Sequence, residues 1–124
     1  MALETPELPA LGGLETEVMQ VVWALGPIVA DDVRPQLKSR LKESTVRTVL
    51  SRLEAKGYLI HTVVGRTYLY AAAATRAQVA ARAVKGIVDW ICRGDVDELL
   101  TGMIDADMLT AKDVQRLTGT ISAK

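Results

Sequence analysis

The sequence predicts a mainly α-helical protein with a small β-hairpin wing, organised as an N-terminal winged helix-turn-helix followed by a C-terminal helical dimerisation region. Three observations carry this. Residues Lys42 to Tyr70 join an amphipathic helix directly to a hairpin pattern. Basic residues concentrate on that same stretch, and after residue 73 the chain turns to amphipathic helices without basic bias. The implied organisation is a flexible arm at 1–10, a winged-helix domain at 11–73 and a helical dimerisation domain at 74–124.

The opening MALETPELPALGG carries two prolines and a glycine pair, the composition of an arm. From Leu14 the pattern changes. Leu14, Val18, Val21, Val22 and Leu25 recur at helical spacing until Gly26-Pro27 stops them, which defines a first helix. Ile28 and Val29 suit a very short strand. A second helix is expected to open at the acidic pair Asp31 and Asp32, with Val33, Leu37 and Leu41 as its stripe and Pro35 tolerated near the first turn.

The third helix spans Lys42 to Lys56. Val46, Val49, Leu50 and Leu53 fall on one side at spacings of three, four and seven, the side to be buried. Opposite lie the short residues Ser44, Thr48, Ser51 and Ala55, flanked by Thr45 and Arg52 on one edge and Arg47 on the other. Short side chains let a helix backbone approach a groove floor, and flanking arginines can reach guanine edges or phosphates. An ordinary solvated face would more often carry Glu and Lys paired four apart; this one has Glu54 alone. Gly57 suits a left-handed helix cap. Leu59 to Val64 and Thr67 to Ala71 are rich in β-branched and aromatic residues, and Gly65-Arg66 between them fits a type II′ turn with Arg66 at its tip.

Three more helices follow. Thr75 with Gln78 forms a capping box ahead of Ala80, Ala83, Val84, Ile87, Val88 and Ile91, and Gly94 ends that helix. Asp95 with Glu98 opens a shorter one through Val96, Leu99, Leu100, Met103 and Ile104. Thr110 with Asp113 opens the last, through Val114, Leu117 and Ile121. Roughly 50 residues are marginal for an independent core, so a second copy is expected to cover these faces. The interface residues are then Val84, Ile87, Val88, Ile91, Leu99, Leu100, Val114 and Leu117. Trp23 and Trp90 are expected to be buried in the first helix and the dimer region.

The net charge of zero conceals a segregation. Residues 1–33 hold six acids and no base, residues 34–67 eight bases against Glu43 and Glu54, and residues 68–124 seven of each. A basic middle in a neutral chain is an electrostatic footprint for a polyanion. Lys38, Arg40, Lys42, Lys56 and Arg66 are the expected phosphate contacts, and the full DNA-binding set is Lys42, Ser44, Thr45, Arg47, Thr48, Ser51, Arg52, Lys56 and Arg66. Cys92, the single cysteine, excludes an internal disulfide and a multi-thiolate metal site, and suits a small buried hydrophobe better than a redox sensor. His61 stands in the first wing strand without a catalytic partner nearby, so no enzyme, metal or cofactor is expected. No run is long enough to span a membrane and the acidic start is unlike a secretion signal, giving a cytoplasmic expectation. The alternative function is a winged-helix module that binds proteins and not DNA. No small-molecule ligand is evident.

The residues LETEVMQVVWALGP, STVRTVLSRLEAKGYL, GRTYLY and the run VDWICRGDVDELLTGMIDADMLTAKDVQRL resemble, in order and spacing, the BlaI/MecI group of bacterial transcriptional repressors, also called the penicillinase repressor family. The resemblance covers Leu14 to Asp113. It implies a winged helix that binds an inverted-repeat operator and C-terminal helices that dimerise. Thr45, Arg47, Thr48 and Arg52 fall where that family's reading helix faces the major groove, and Arg66 falls on its wing. Members are inactivated when a membrane-bound sensor protease leads to cleavage in the dimer region. The matching bond here is Gly102-Met103, in place of the Asn-Phe of better-known members, and it is the candidate proteolytic switch. Copper-responsive relatives carry paired Cys-x-Cys motifs, which this sequence lacks. The expectation is a sequence-specific repressor that binds a pseudo-palindromic operator as a homodimer.

Overall fold

The computed structural model describes residues 11–122; the expected arm at 1–10 lies outside them. Helix α1 (Gly13–Leu25) opens where the Gly12 N–H donates to Glu15 Oε1 at 2.8 Å. Its buried face is Glu15, Val18, Met19 and Val22, at spacings of three, four and seven. Leu25, expected inside, is 51% exposed, because that face is centred nearer Glu15 and Met19 than the apolar residues alone suggest.

Strand β1 (Ile28–Val29) is as short as its two residues allow, and helix α2 (Ala30–Val33) follows at once. The second helix was expected to continue through Leu41, and it does not. It passes into a 3-10 turn at Arg34–Gln36, and Leu37 is extended. Pro35 has no N–H to continue the ladder. Beyond it the Glu17 carboxylate accepts from the backbone N–H groups of Lys38 and Ser39, and Arg34 Nε donates to Leu41 O at 2.8 Å, closing the connection. Val33 and Leu37 are still buried and Leu41 packs against the core, so the stripe points inward although only Val33 of it is helical.

Helix α3 (Glu43–Ala55) buries Val46, Val49, Leu50 and Leu53, the four expected. Gly57, at φ 91°, lets the chain reverse: Tyr58 N–H returns to Leu53 O and Gly57 N–H to Glu54 O, both at 3.0 Å, a Schellman cap. Strands β2 (Leu59–Val64) and β3 (Thr67–Ala72) form the wing, with His61 opposite Tyr70 and Val64 opposite Thr67. Gly65 has φ 65° and Arg66 is not left-handed, the combination a type II′ turn requires. The sheet order is β1-β3-β2, antiparallel throughout, and one core joins α1, α2, α3 and the sheet around Met19, Leu50, Leu53 and Leu59. Each such buried side chain contributes about 1.5 to 3 kcal/mol before entropy is counted.

Helices α4 (Arg76–Ile91), α5 (Val96–Asp105) and α6 (Ala111–Ser122) complete the described chain. Their starts are the capping groups the sequence contains. Thr75 and Gln78 exchange bonds at 2.9 and 3.1 Å, Asp95 accepts from Asp97 and Glu98 N–H, and Thr110 and Asp113 close a reciprocal box. The chain divides into two compact units, the first ending at Ala83 and the second beginning at Val84. In the second unit Val84, Ile87, Ile91, Leu100, Val114 and Leu117 are exposed, Leu99 is half-buried and Val88 is covered. Trp90 is 85% exposed in the single chain, whereas Trp23 is half-buried and donates from Nε1 to Ala74 O at 2.9 Å. Among the described residues no helix is long and apolar enough to cross a membrane.

Candidate nucleic-acid interface

Burial of Val46, Val49, Leu50 and Leu53 fixes which side of α3 faces outward. Ser44, Arg47, Thr48, Ser51, Arg52 and Ala55 are exposed, and Thr45 is half-buried at the edge. A shallow hollow runs along this side, lined by Arg47, Thr48, Ser51, Arg52 and Ala55. Its floor is low because four of the side chains opposite the core are short. Thr48 Oγ1 donates to Ser44 O at 2.9 Å, which leaves the hydroxyl oxygen as an outward acceptor.

A second, narrower cleft of about 80 Å³ is lined by Val29, Ala30, Asp31, Arg47, Arg66, Thr67, Tyr68 and Tyr70. It brings together α3, the start of α2 and the base of the wing turn, so Arg47 and Arg66 face one space. Lys42 is exposed at the head of α3, and Lys38 and Arg40 are exposed on the connection before it. Lys56 is placed differently: its Nζ is 2.7 Å from Glu15 Oε1, with both side chains largely covered. The Gly12 N–H, then Lys56, hold the Glu15 carboxyl below the usual carboxylate range despite its burial.

One contact ties the wing to the helix and a second stiffens the wing itself. His61 Nδ1 lies 2.6 and 2.7 Å from the two Glu54 oxygens, and the His61 ring stacks on Tyr68 at 4.0 Å and 7°. Glu54 thus serves the hairpin, although it is only partly covered. Burial pushes the Tyr70 hydroxyl above its ordinary range, so it stays protonated and neutral beside the arginines. Sequence reasoning missed Asp31 and Glu43. Arg47 Nη2 is 2.9 Å from Glu43 Oε1 and 3.4 Å from Asp31 Oδ1, and Arg47 Nε is 3.3 Å from the same Glu43 oxygen. The Glu43 partner was detectable as an acid four residues before an arginine; Asp31 is sixteen residues away and had no local signal.

At the proposed switch, Gly102 is exposed and Met103 half-buried, both within α5. Among the described residues no group of three or more His, Cys, Asp and Glu is arranged to hold a metal ion.

A family model described as Penicillinase repressor matches residues 11–123. The Penicillinase repressor of Bacillus licheniformis is 24% identical over 113 residues, covering 90% of this chain and 88% of that protein. Similar solved structures include two of the BlaI repressor. One is the Bacillus licheniformis BlaI monomeric form in complex with the blaP half-operator, at 31% identity and a TM-score of 0.50 over 58% of this chain and 90% of that one. The other is the DNA-binding domain of the repressor BlaI, at 30% identity and a TM-score of 0.53 over 60% and 93%.

Proposed function

The chain belongs to the penicillinase repressor family, the BlaI/MecI group, and on that premise we propose that it blocks transcription by holding a pseudo-palindromic operator as a homodimer. The coarse identity, a BlaI-like winged-helix DNA-binding repressor and not an enzyme, comes with the family. The observation that carries the finer reading is the outward side of α3: short residues along its middle, arginines along its edges and a wing arginine sharing a cleft with one of them.

In this reading α3 enters the major groove. Ser44, Ser51 and Ala55 allow close approach, and Thr45, Arg47, Thr48 and Arg52 meet base edges. Lys42 and Arg66, with Lys38 and Arg40, meet phosphates and set register. Lys56 acts from behind, anchoring the end of α3 to α1 through Glu15. Two joined heads raise the effective concentration of the second at its half-site, so anything that separates the copies removes most of the affinity without touching a DNA contact. The exposed apolar residues of α4, α5 and α6 support pairing between copies.

Release by a membrane-bound sensor protease system would act on Gly102-Met103. That bond lies within a helix, and Gly102 lowers helix propensity there by about 1 kcal/mol relative to alanine, which eases the local unwinding a protease needs. The deciding experiment is selection of bound sequences from random duplex DNA. Winners with two inverted half-sites, spaced about one helical turn or a small multiple apart, support the proposal. Recovery of single half-sites or of unselected sequence refutes it.

A further inference from the structure

Arg47 is not a free cation on the reading face. Its guanidinium donates from Nε and Nη2 to Glu43 Oε1, and Asp31 stands beside Nη2. Two carboxylates thus stand against Arg47 where a polyanion is to dock, and with Arg66 on the same cleft the local charge is only neutral. The three paired side chains are more than half exposed, so the pairs contribute little to stability and their presence calls for another reason.

Carboxylates facing DNA weaken binding to every sequence, because they oppose the phosphate attraction that drives non-specific association. The penalty is recovered only where the groove offers a donor. In the major groove a G·C pair presents guanine O6 and N7 as acceptors beside the cytosine N4 donor. The α3 surface presents the complement. Arg47 keeps both Nη1 protons as donors, and Glu43 Oε2 has no hydrogen-bond partner among the described residues. Glu43 lies in the first turn of α3, the part of a reading helix that meets base edges.

We infer that Glu43 and Arg47 form one base-reading unit for a G·C pair, with Arg47 on guanine and the free Glu43 oxygen accepting from the cytosine amine, while Asp31 lowers the affinity for unselected DNA. The inference rests on the operator-binding reading above and adds the base pair and the residues that read it. Glu43 is a specificity-determining residue, and its cost on random sequence is part of its action.

The test compares the full chain with the variants Glu43→Gln and Asp31→Asn, each confirmed folded by an unchanged thermal midpoint. Binding is measured to the selected operator, to that operator substituted at each base pair, and to random duplex, over a series of salt concentrations. The unmodified chain is expected to lose on the order of tenfold or more when one G·C pair is replaced. Glu43→Gln, which keeps Arg47 on guanine but loses the anionic acceptor, should narrow that difference at the same pair, bind random duplex several-fold more tightly and show a salt slope steeper by about one. Asp31→Asn should tighten random-duplex binding and keep the discrimination. If Glu43→Gln retains the discrimination in full, or binds random duplex no better than the unmodified chain, the inference is overturned although operator binding stands. A chain that prefers no duplex overturns both, and that outcome is visible in the unmodified protein alone.

Discussion

Glu15 puts a carboxylate on the buried face of α1, and its partners explain why it is there: the Gly12 N–H, which starts the helix, and Lys56, which ends α3. Replacing it with glutamine should lower stability at neutral pH by about 1 to 3 kcal/mol, the range for a charge-assisted bond lost at a covered site. The sign with pH follows from the depressed carboxyl. Its contribution is present above the unfolded value near 4.5 and is lost as pH falls through the lower folded value. Urea unfolding at pH 7 and at pH 3 should therefore show a gap between the two proteins that narrows in acid. For DNA contacts, Arg52→Ala should cost about 1 to 3 kcal/mol at one base pair if it reads guanine. A loss equal across operator variants would place Arg52 on phosphate, as competition binding would reveal. Periodicity was enough to say that Arg47, Thr48, Ser51 and Arg52 face outward, because burial of one helical stripe determines the other. It was not enough for Lys56, whose partner is 41 residues away, or for Asp31 beside Arg47.

Elements were legible wherever a short-range chemical signal marked their ends. The boxes at Thr75–Gln78 and Thr110–Asp113 and the reversals at Gly57 and Gly65 involve partners within a few residues, so spacing alone identified them. The second helix was overextended for the same physical reason in reverse. Val33, Leu37 and Leu41, four apart, suit a helical stripe, yet they equally suit a short helix followed by a connection folded onto the core. Pro35 and the distant Glu17 carboxylate decided between these. The Schellman cap gives a direct test. Gly57→Ala forces a Cβ into the left-handed region and should destabilise the protein by about 1 to 2 kcal/mol, seen as a lower urea midpoint with an unchanged slope.

At the scale of the whole molecule, the neutral net charge was uninformative and its distribution was not: the eight bases at 34–67 bracket α3 and the wing tip. The second unit was legible as helices; its reading as an interface is a proposal, since amphipathic spacing says that a face needs cover without saying what supplies it. Val84→Asp and Ile87→Asp, both at exposed apolar positions of α4, should give monomers by light scattering and weaken operator binding at least tenfold through loss of the joined half-sites. A dimer of full affinity would remove those residues from the interface. Between Ala55 and Leu59 the chain has no slack, and Glu54 reaches His61 across that joint. On the proposed operator reading, target preference should therefore be portable only as a cassette. Residues 42–72 exchanged between relatives carry their own alignment, whereas residues 43–55 exchanged alone leave a hairpin aimed by a foreign neighbour.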